Sequence, residues 1–137
     1  MAEKPLRLLP QVTPENEHFW LGGADNELRF LRCGSCRYYV HPPAPLCPEC
    51  LSRDLSPEAV SGRAVVHTFT VNHQPWIPGF DPPYVVAIVE LDEQEGLRLT
   101  TNLVNCKPED ISIGLRVHVL FEDLGEGVFL PLFELDE

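Results

Sequence analysis

Residues 33–50 read CGSCRYYVHPPAPLCPEC and hold four of the five cysteines in a chain of 137 residues. Two Cys-x-x-Cys pairs, Cys33 with Cys36 and Cys47 with Cys50, face each other across ten residues. Each short turn sets two sulfurs on one side of an ion, and two such turns complete the tetrahedral thiolate shell that zinc prefers. The spacing predicts one structural Zn2+ held by Cys33, Cys36, Cys47 and Cys50, with no open coordination position; iron would suit the same ligands. Disulfides and a redox Cys-x-x-Cys are the competing readings, but no secretion signal or βαβ pattern accompanies the motif. His41 lies inside the loop and reads as a turn residue, because four cysteines already fill the shell. Cys106 reads as a packed small residue. A module of about forty residues has little core of its own, so metal binding here is folding energy rather than catalysis.

The chain around this clip is acidic, with 21 Asp and Glu against 10 Lys and Arg and a formal charge of −11. Such a surface repels nucleic acid and anionic membranes unless a basic patch overrides it. No run approaches the ~20 apolar residues of a membrane span, and the first residues do not start a signal pattern, so the expected location is the cytoplasm. Charge is uneven: six carboxylates and no Lys or Arg lie between Val117 and Glu137, whereas Arg29, Arg32 and Arg37 crowd the first cysteine pair.

Upstream, Thr13-Pro14-Glu15 predicts a helix start and Gly22-Gly23 its end, with Phe19 and Trp20 as apolar anchors. From Glu27 the period becomes two, with Leu28 and Phe30 alternating against Arg29 and Leu31, as in a strand. Past Ser61-Gly62 five strands are expected, over 63–72, 84–91, 97–103, 115–121 and 128–135, separated by Gly, Pro and Asp turns. Five short strands in about seventy-five residues suit a small closed barrel, the OB-fold first and an SH3-like barrel second. The predicted class is therefore mainly β: a short N-terminal helix (1–26), a four-cysteine zinc ribbon (27–60) and a five-stranded OB-fold barrel (61–137).

Enzyme motifs are sparse: the chain has no phosphate-binding Gly loop, no Gly-x-Ser-x-Gly and no His-Glu-x-x-His. No catalytic residue is assigned. An OB surface that binds nucleic acid needs stacking aromatics interleaved with Lys and Arg, and the strands here offer few basic residues beside Phe69, Phe121 and Phe129. The loop from His73 to Tyr84 has more to offer, with Trp76, Ile77, Phe80 and Tyr84 among four prolines. Prolines stiffen a loop and aromatics on it make good anchors, so these four are candidate partner-binding residues. The competing reading has Trp76 and Phe80 folded back to plug the barrel. Arg29, Arg32 and Arg37 are candidates for acids on a partner or for anionic groups of a ligand, or are solvated strand residues.

The order of these elements carries a resemblance. Leu28-Arg-Phe-Leu-Arg-Cys33 leads into the ribbon, then Ser61-Gly-Arg-Ala-Val-Val-His-Thr-Phe69, Pro83-Tyr-Val-Val-Ala-Ile-Val-Glu-Leu91 and Ile113-Gly-Leu-Arg-Val117 follow. Over nearly its whole length the chain resembles a family of rubredoxin-like zinc ribbons fused to an OB-fold, long catalogued as a domain of unknown function. Arg37, Leu51 and Ala64 depart from the glycines that the family often has there, and none is a zinc ligand. The resemblance implies a non-catalytic accessory subunit of a thiolase-fold enzyme acting on acyl-CoA, and with that it makes Arg29, Arg32 and Arg37 candidates for the phosphates of coenzyme A. Its partner would be a lipid-transfer-protein-type chain, acting as an aldolase in retro-aldol cleavage of a steroid side chain, or as a thiolase. The alternative is an independent module that binds acyl-CoA or nucleic acid.

Overall fold

The computed structural model describes residues 8–76 and 81–136. The helix α1 (Glu17–Leu21) starts later than Thr13-Pro14-Glu15 suggested. Those residues instead form a turn in which the Thr13 carbonyl accepts from the N–H groups of Asn16 and Glu17. The Asn16 side chain accepts from the Thr13 N–H at 2.7 Å. Such local bonds offer the backbone an alternative to helix and delay its onset. The helix ends where Gly22-Gly23 suggested, with Gly22 as its C-cap, and a 3-10 turn, Gly22–Asp25, follows on to Asn26, which closes it in the left-handed conformation at φ 57°. Gly23 is needed for packing, since a Cβ there would lie 2.3 Å from the Phe129 Cβ on the barrel.

Strands β1 (Leu28–Cys33), β2 (Tyr39–Val40) and β3 (Leu55–Val60) form an antiparallel sheet in the order β2-β1-β3. β3 was not expected from the sequence, and it carries Pro57 in its middle. It is an edge strand, where a proline that cannot donate to the ladder is tolerated.

Strands β4 (Arg63–Asn72), β5 (Tyr84–Leu91), β6 (Arg98–Leu103), β7 (Arg116–Gly125) and β8 (Val128–Leu135) close a barrel in the order β4-β5-β6-β8-β7. Only the β6–β8 seam is parallel. This is the OB arrangement rather than the SH3-like one. β7 runs past Phe121 because Glu122, Asp123 and Gly125 keep pairing with β8. No helix among the described residues is long and apolar enough to cross a membrane.

Ribbon and barrel share one core. β5 alternates regularly, with Val85, Ala87, Val89 and Leu91 buried, and Phe133, Val66 and Val117 face them. Phe19, Leu28, Phe30 and Tyr39 from the N-terminal half belong to the same continuous cluster. A fully buried Phe or Leu stabilises by about 1.5–3 kcal/mol, and the enclosed Phe30 stacks on Phe19 of the N-terminal helix, which joins the ribbon to the barrel through that shared cluster.

A polar clamp reinforces this junction. The Tyr39 N–H donates to Gln94 Oε1 at 2.8 Å, and Gln94 Nε2 donates to the Tyr39 carbonyl at 3.1 Å. The side-chain amide, carried by the β5–β6 turn, serves the free edge of β2 as a neighbouring strand would. Beside it the Ser61 N–H donates to Glu93 at 2.7 Å. Gln94→Ala leaves both Tyr39 backbone groups without a partner in a half-buried place and is expected to destabilise the fold by about 1–3 kcal/mol. Denaturant unfolding of the variant checks this, and an unchanged midpoint would show the clamp to be dispensable.

Candidate functional site

The two Cys-x-x-Cys turns are built alike. The Cys33 carbonyl accepts from Arg37 N–H at 3.0 Å, and the Cys47 carbonyl accepts from Leu51 N–H at 2.9 Å. Cys33 N–H donates to Tyr38 and Cys47 N–H to Ser52, both at 2.8 Å. Closing each turn needs a left-handed residue just after its second cysteine, and Arg37 (φ 69°) and Leu51 (φ 64°) supply it. The turns are also tied together, since Gly34 N–H donates to the Asp54 carbonyl at 2.8 Å.

The four sulfurs all lie within 4.8 Å of one another. Cys33 and Cys50 are 3.5 Å apart, as are Cys36 and Cys47. Zn–S bonds of about 2.3 Å in a tetrahedron set neighbouring sulfurs about 3.8 Å apart, whereas a disulfide needs about 2.05 Å. All five cysteines are free thiols, so the cluster fits an ion at its centre. The Cys36 N–H, 3.4 Å from the Cys33 sulfur, is the main cause that pulls the Cys33 thiol down to about 6. That biases Cys33 toward the thiolate form in which cysteine binds metal, whereas Cys36 is pushed up to about 12 and Cys50 is raised.

The three arginines near the ribbon separate into two groups. Arg29 pairs with Asp25 at 2.7 Å and Glu27 at 2.8 Å. Arg32 and Arg37 both reach Glu58 at 3.3 Å, and the Arg32 guanidinium also lies 4.3 Å above the Tyr39 ring. Glu58 sits on β3, the strand that its proline concealed, so sequence reading gave these arginines no acid.

In the aromatic loop, Trp76 is 72% exposed. Its indole N–H donates to Asn72 Oδ1 at 2.9 Å, and Asn72 Nδ2 donates to the Gln74 carbonyl at 2.8 Å. The Trp76 ring therefore stands away from the barrel interior. Tyr84 is half-buried at the start of β5, opposite Asn72. Ile77 and Phe80 lie outside the described residues.

The histidines serve structure in different ways. His41 stacks near Phe19 and Phe30, with ring centroids 5.1 and 4.5 Å away, and burial pushes its pKa down to about 4. Burial likewise lowers His18. His118 is held between Asp136 at 2.6 Å and Glu134 at 2.8 Å, and those bonds, Asp136 first, raise its pKa. Cys106 is half-buried and its thiol is pushed up by desolvation, as suits a packing residue. Beside His41 a cleft of about 450 Å³ opens between Phe19, Trp20, Pro42, Leu99 and Leu130, with Arg98 its one charged lining residue.

A four-cysteine zinc ribbon packed on an OB barrel is the class of protein that this fold and site define. Residues 20–56 match the family described as "ChsH2, rubredoxin-like zinc ribbon domain" and residues 57–122 match "ChsH2, C-terminal OB-fold domain". A DUF35 domain-containing scaffold protein of Methanocaldococcus jannaschii is 38% identical over 98 residues, covering 70% of this chain and 68% of the relative. The chain belongs to this DUF35 family of zinc ribbon and OB-fold proteins. A probable enoyl-CoA hydratase alpha subunit of Thermomonospora curvata is 38% identical over 130 residues. That match takes in 95% of this chain, which spans only 40% of the subunit's length. Among solved structures, a chain of the "Ltp2-ChsH2(DUF35) aldolase" superposes with a TM-score of 0.82 at 36% identity, covering 93% of this chain and 98% of that one.

Two outcomes are expected of the metal centre. Elemental analysis of the native protein should find one zinc per chain, and Cys47→Ser, which removes a buried ligand, should lose the metal and much of the soluble yield. Leu51→Gly should instead stabilise by about 0.5–1 kcal/mol. It relieves a left-handed non-glycine residue whose side chain is mostly exposed, and part of that gain is offset by glycine's greater freedom in the unfolded chain. A lower unfolding midpoint for Leu51→Gly would mean that the leucine side chain contributes more than its backbone strain costs.

Proposed function

We propose that this chain is a non-catalytic accessory subunit of a thiolase-fold enzyme that processes acyl-CoA. The partner is a lipid-transfer-protein-type chain, and its reaction is retro-aldol cleavage of a steroid side-chain CoA ester. The observation that carries this reading is the likeness to a chain of an aldolase assembly, which runs over 93% of this chain at 36% identity. The name of the Thermomonospora relative, a CoA-ester hydratase subunit, supports an acyl-CoA context.

The side chains agree with a supporting role. Among the described residues no histidine is hydrogen-bonded to a cysteine, serine or threonine, the pairing that activates a nucleophile. The cysteines of the ribbon are committed to one another. Trp76, large and exposed on a hydrogen-bonded turn, is the residue best placed to enter a pocket on the partner. Ile77, Phe80 and Tyr84 extend that anchor in the proposal. Arg32 and Arg37 are the side chains that would meet a phosphate of coenzyme A, exchanging Glu58 for it; Arg29 is more firmly engaged with its own two acids.

The test is co-expression with the thiolase-fold chain, purification of the complex and measurement of its affinity. Truncating a buried interface Trp typically costs at least ~2 kcal/mol, so Trp76→Ala should weaken assembly about thirtyfold. The melting temperature of the free chain should stay nearly unchanged. A Trp76→Ala chain that melts early yet binds at full strength would end the docking role of this residue. Failure of the wild-type chain to assemble would overturn the accessory-subunit reading itself.

A further inference from the structure

One edge of the barrel has no partner among the described residues. β4 runs beside β5 from Ala64 to Asn72, but β7 accompanies it only over Arg63, Ala64 and Val65. Val66 makes the last bonds on that side, donating to the Leu115 carbonyl at 2.9 Å and accepting from Gly114 N–H at 2.8 Å. The register then slips at His67. Carried through that bulge, the alternation that turned Val66 toward β7 turns the N–H and C=O of Phe69 and Val71 outward. The far side of β5 agrees. Val85, which stands opposite Val71, gives its carbonyl to the Asn102 side chain at 2.9 Å and so faces away from β4.

Sheet edges are ordinarily blunted by lysine, proline or inward-pointing charge. From His67 to Trp76 this chain, otherwise so acidic, has no Asp, Glu, Lys or Arg, and its first proline is Pro75. His67, Thr68 and Thr70 are exposed, while Phe69 and Val71 are half-buried. The edge ends at the Asn72 turn that holds Trp76 outward.

We infer that the outer edge of β4, from Phe69 to Val71, takes up an extended strand from the partner chain and so enlarges the barrel wall beside Trp76. The occupant is an uncharged segment of the catalytic subunit. A second copy of this chain fits poorly, because edge-to-edge pairing would bring two bodies of charge −11 together. The inference rests on the accessory-subunit reading and specifies how the partner is held.

Amide hydrogen exchange on the wild-type chain, free and in complex with the thiolase-fold chain, tests it directly. The Phe69 and Val71 amides should exchange at least about tenfold more slowly in the complex. Two variants add a second readout. Val71→Pro removes an outward donor at a position where an edge tolerates proline, and Thr70→Lys puts a charge on the exposed strand. Each should weaken assembly about tenfold while the free chain keeps its melting temperature. If Val71→Pro fails to fold, exchange on the wild-type protein decides. A complex in which both amides exchange as in the free chain overturns strand addition and leaves the accessory-subunit reading intact, and so does undiminished binding by both variants. A homodimer that pairs through β4 overturns the choice of occupant. Absence of any wild-type complex removes the accessory-subunit reading and this inference together.

Discussion

Four thiol groups within 4.8 Å of one another are the constraint on which the N-terminal half depends. As thiolates they repel, and only a cation at their centre turns that repulsion into attraction. Everything nearby is arranged to hold them there. Two turns of the same construction each present a pair of sulfurs, and the Asp54 carbonyl ties one turn to the other. Both turns accept a left-handed residue that has a side chain, a strain of about 1–2 kcal/mol each. Free energies of metal binding in such sites are of order 10 kcal/mol, which exceeds that strain several-fold.

The ribbon does not stand as a separate bead on the chain. Phe30, Leu28 and Phe19 enter the same core as the barrel residues, and Gln94 bonds the backbone of β2 from the barrel side. The metal centre therefore bears on the barrel through packing as well as through chain connectivity. The N-terminal helix completes the arrangement. Gly22 and Gly23 let its end lie close against β1 and the β7–β8 hairpin, where side chains would collide with Glu27, Phe121 and Phe129.

What the sequence revealed and what it concealed have a common cause. The barrel strands were legible because alternation and Gly or Pro turns are local signals; the expected 63–72, 84–91 and 128–135 match β4, β5 and β8. The cysteine quartet was legible because the spacing itself encodes the tetrahedron. β3 was not, since Pro57 looks like a breaker until the strand's place at a sheet edge is known. The start of α1 was misread because Asn16, rather than Thr13, supplies the side-chain oxygen of that turn. The acid shared by Arg32 and Arg37 and the clamp at Gln94 were invisible for a further reason. Both join residues far apart in the chain, Tyr39 and Gln94 being 55 positions apart in the longer case. No periodicity records such a bond.

The four ligands are not equivalent. Cys33 and Cys47 are buried, whereas Cys36 and Cys50, the second member of each pair, are exposed. A competing thiol or chelator can approach only from the exposed side, so Cys36 and Cys50 are the ligands that would be released first from an ion held there. The buried pair keeps its hold until the ribbon opens. The rate of metal loss would thus report on local opening of the ribbon around Cys33 and Cys47, and a chain pressed against a partner on its exposed sulfur face would exchange its ion more slowly than the same chain alone.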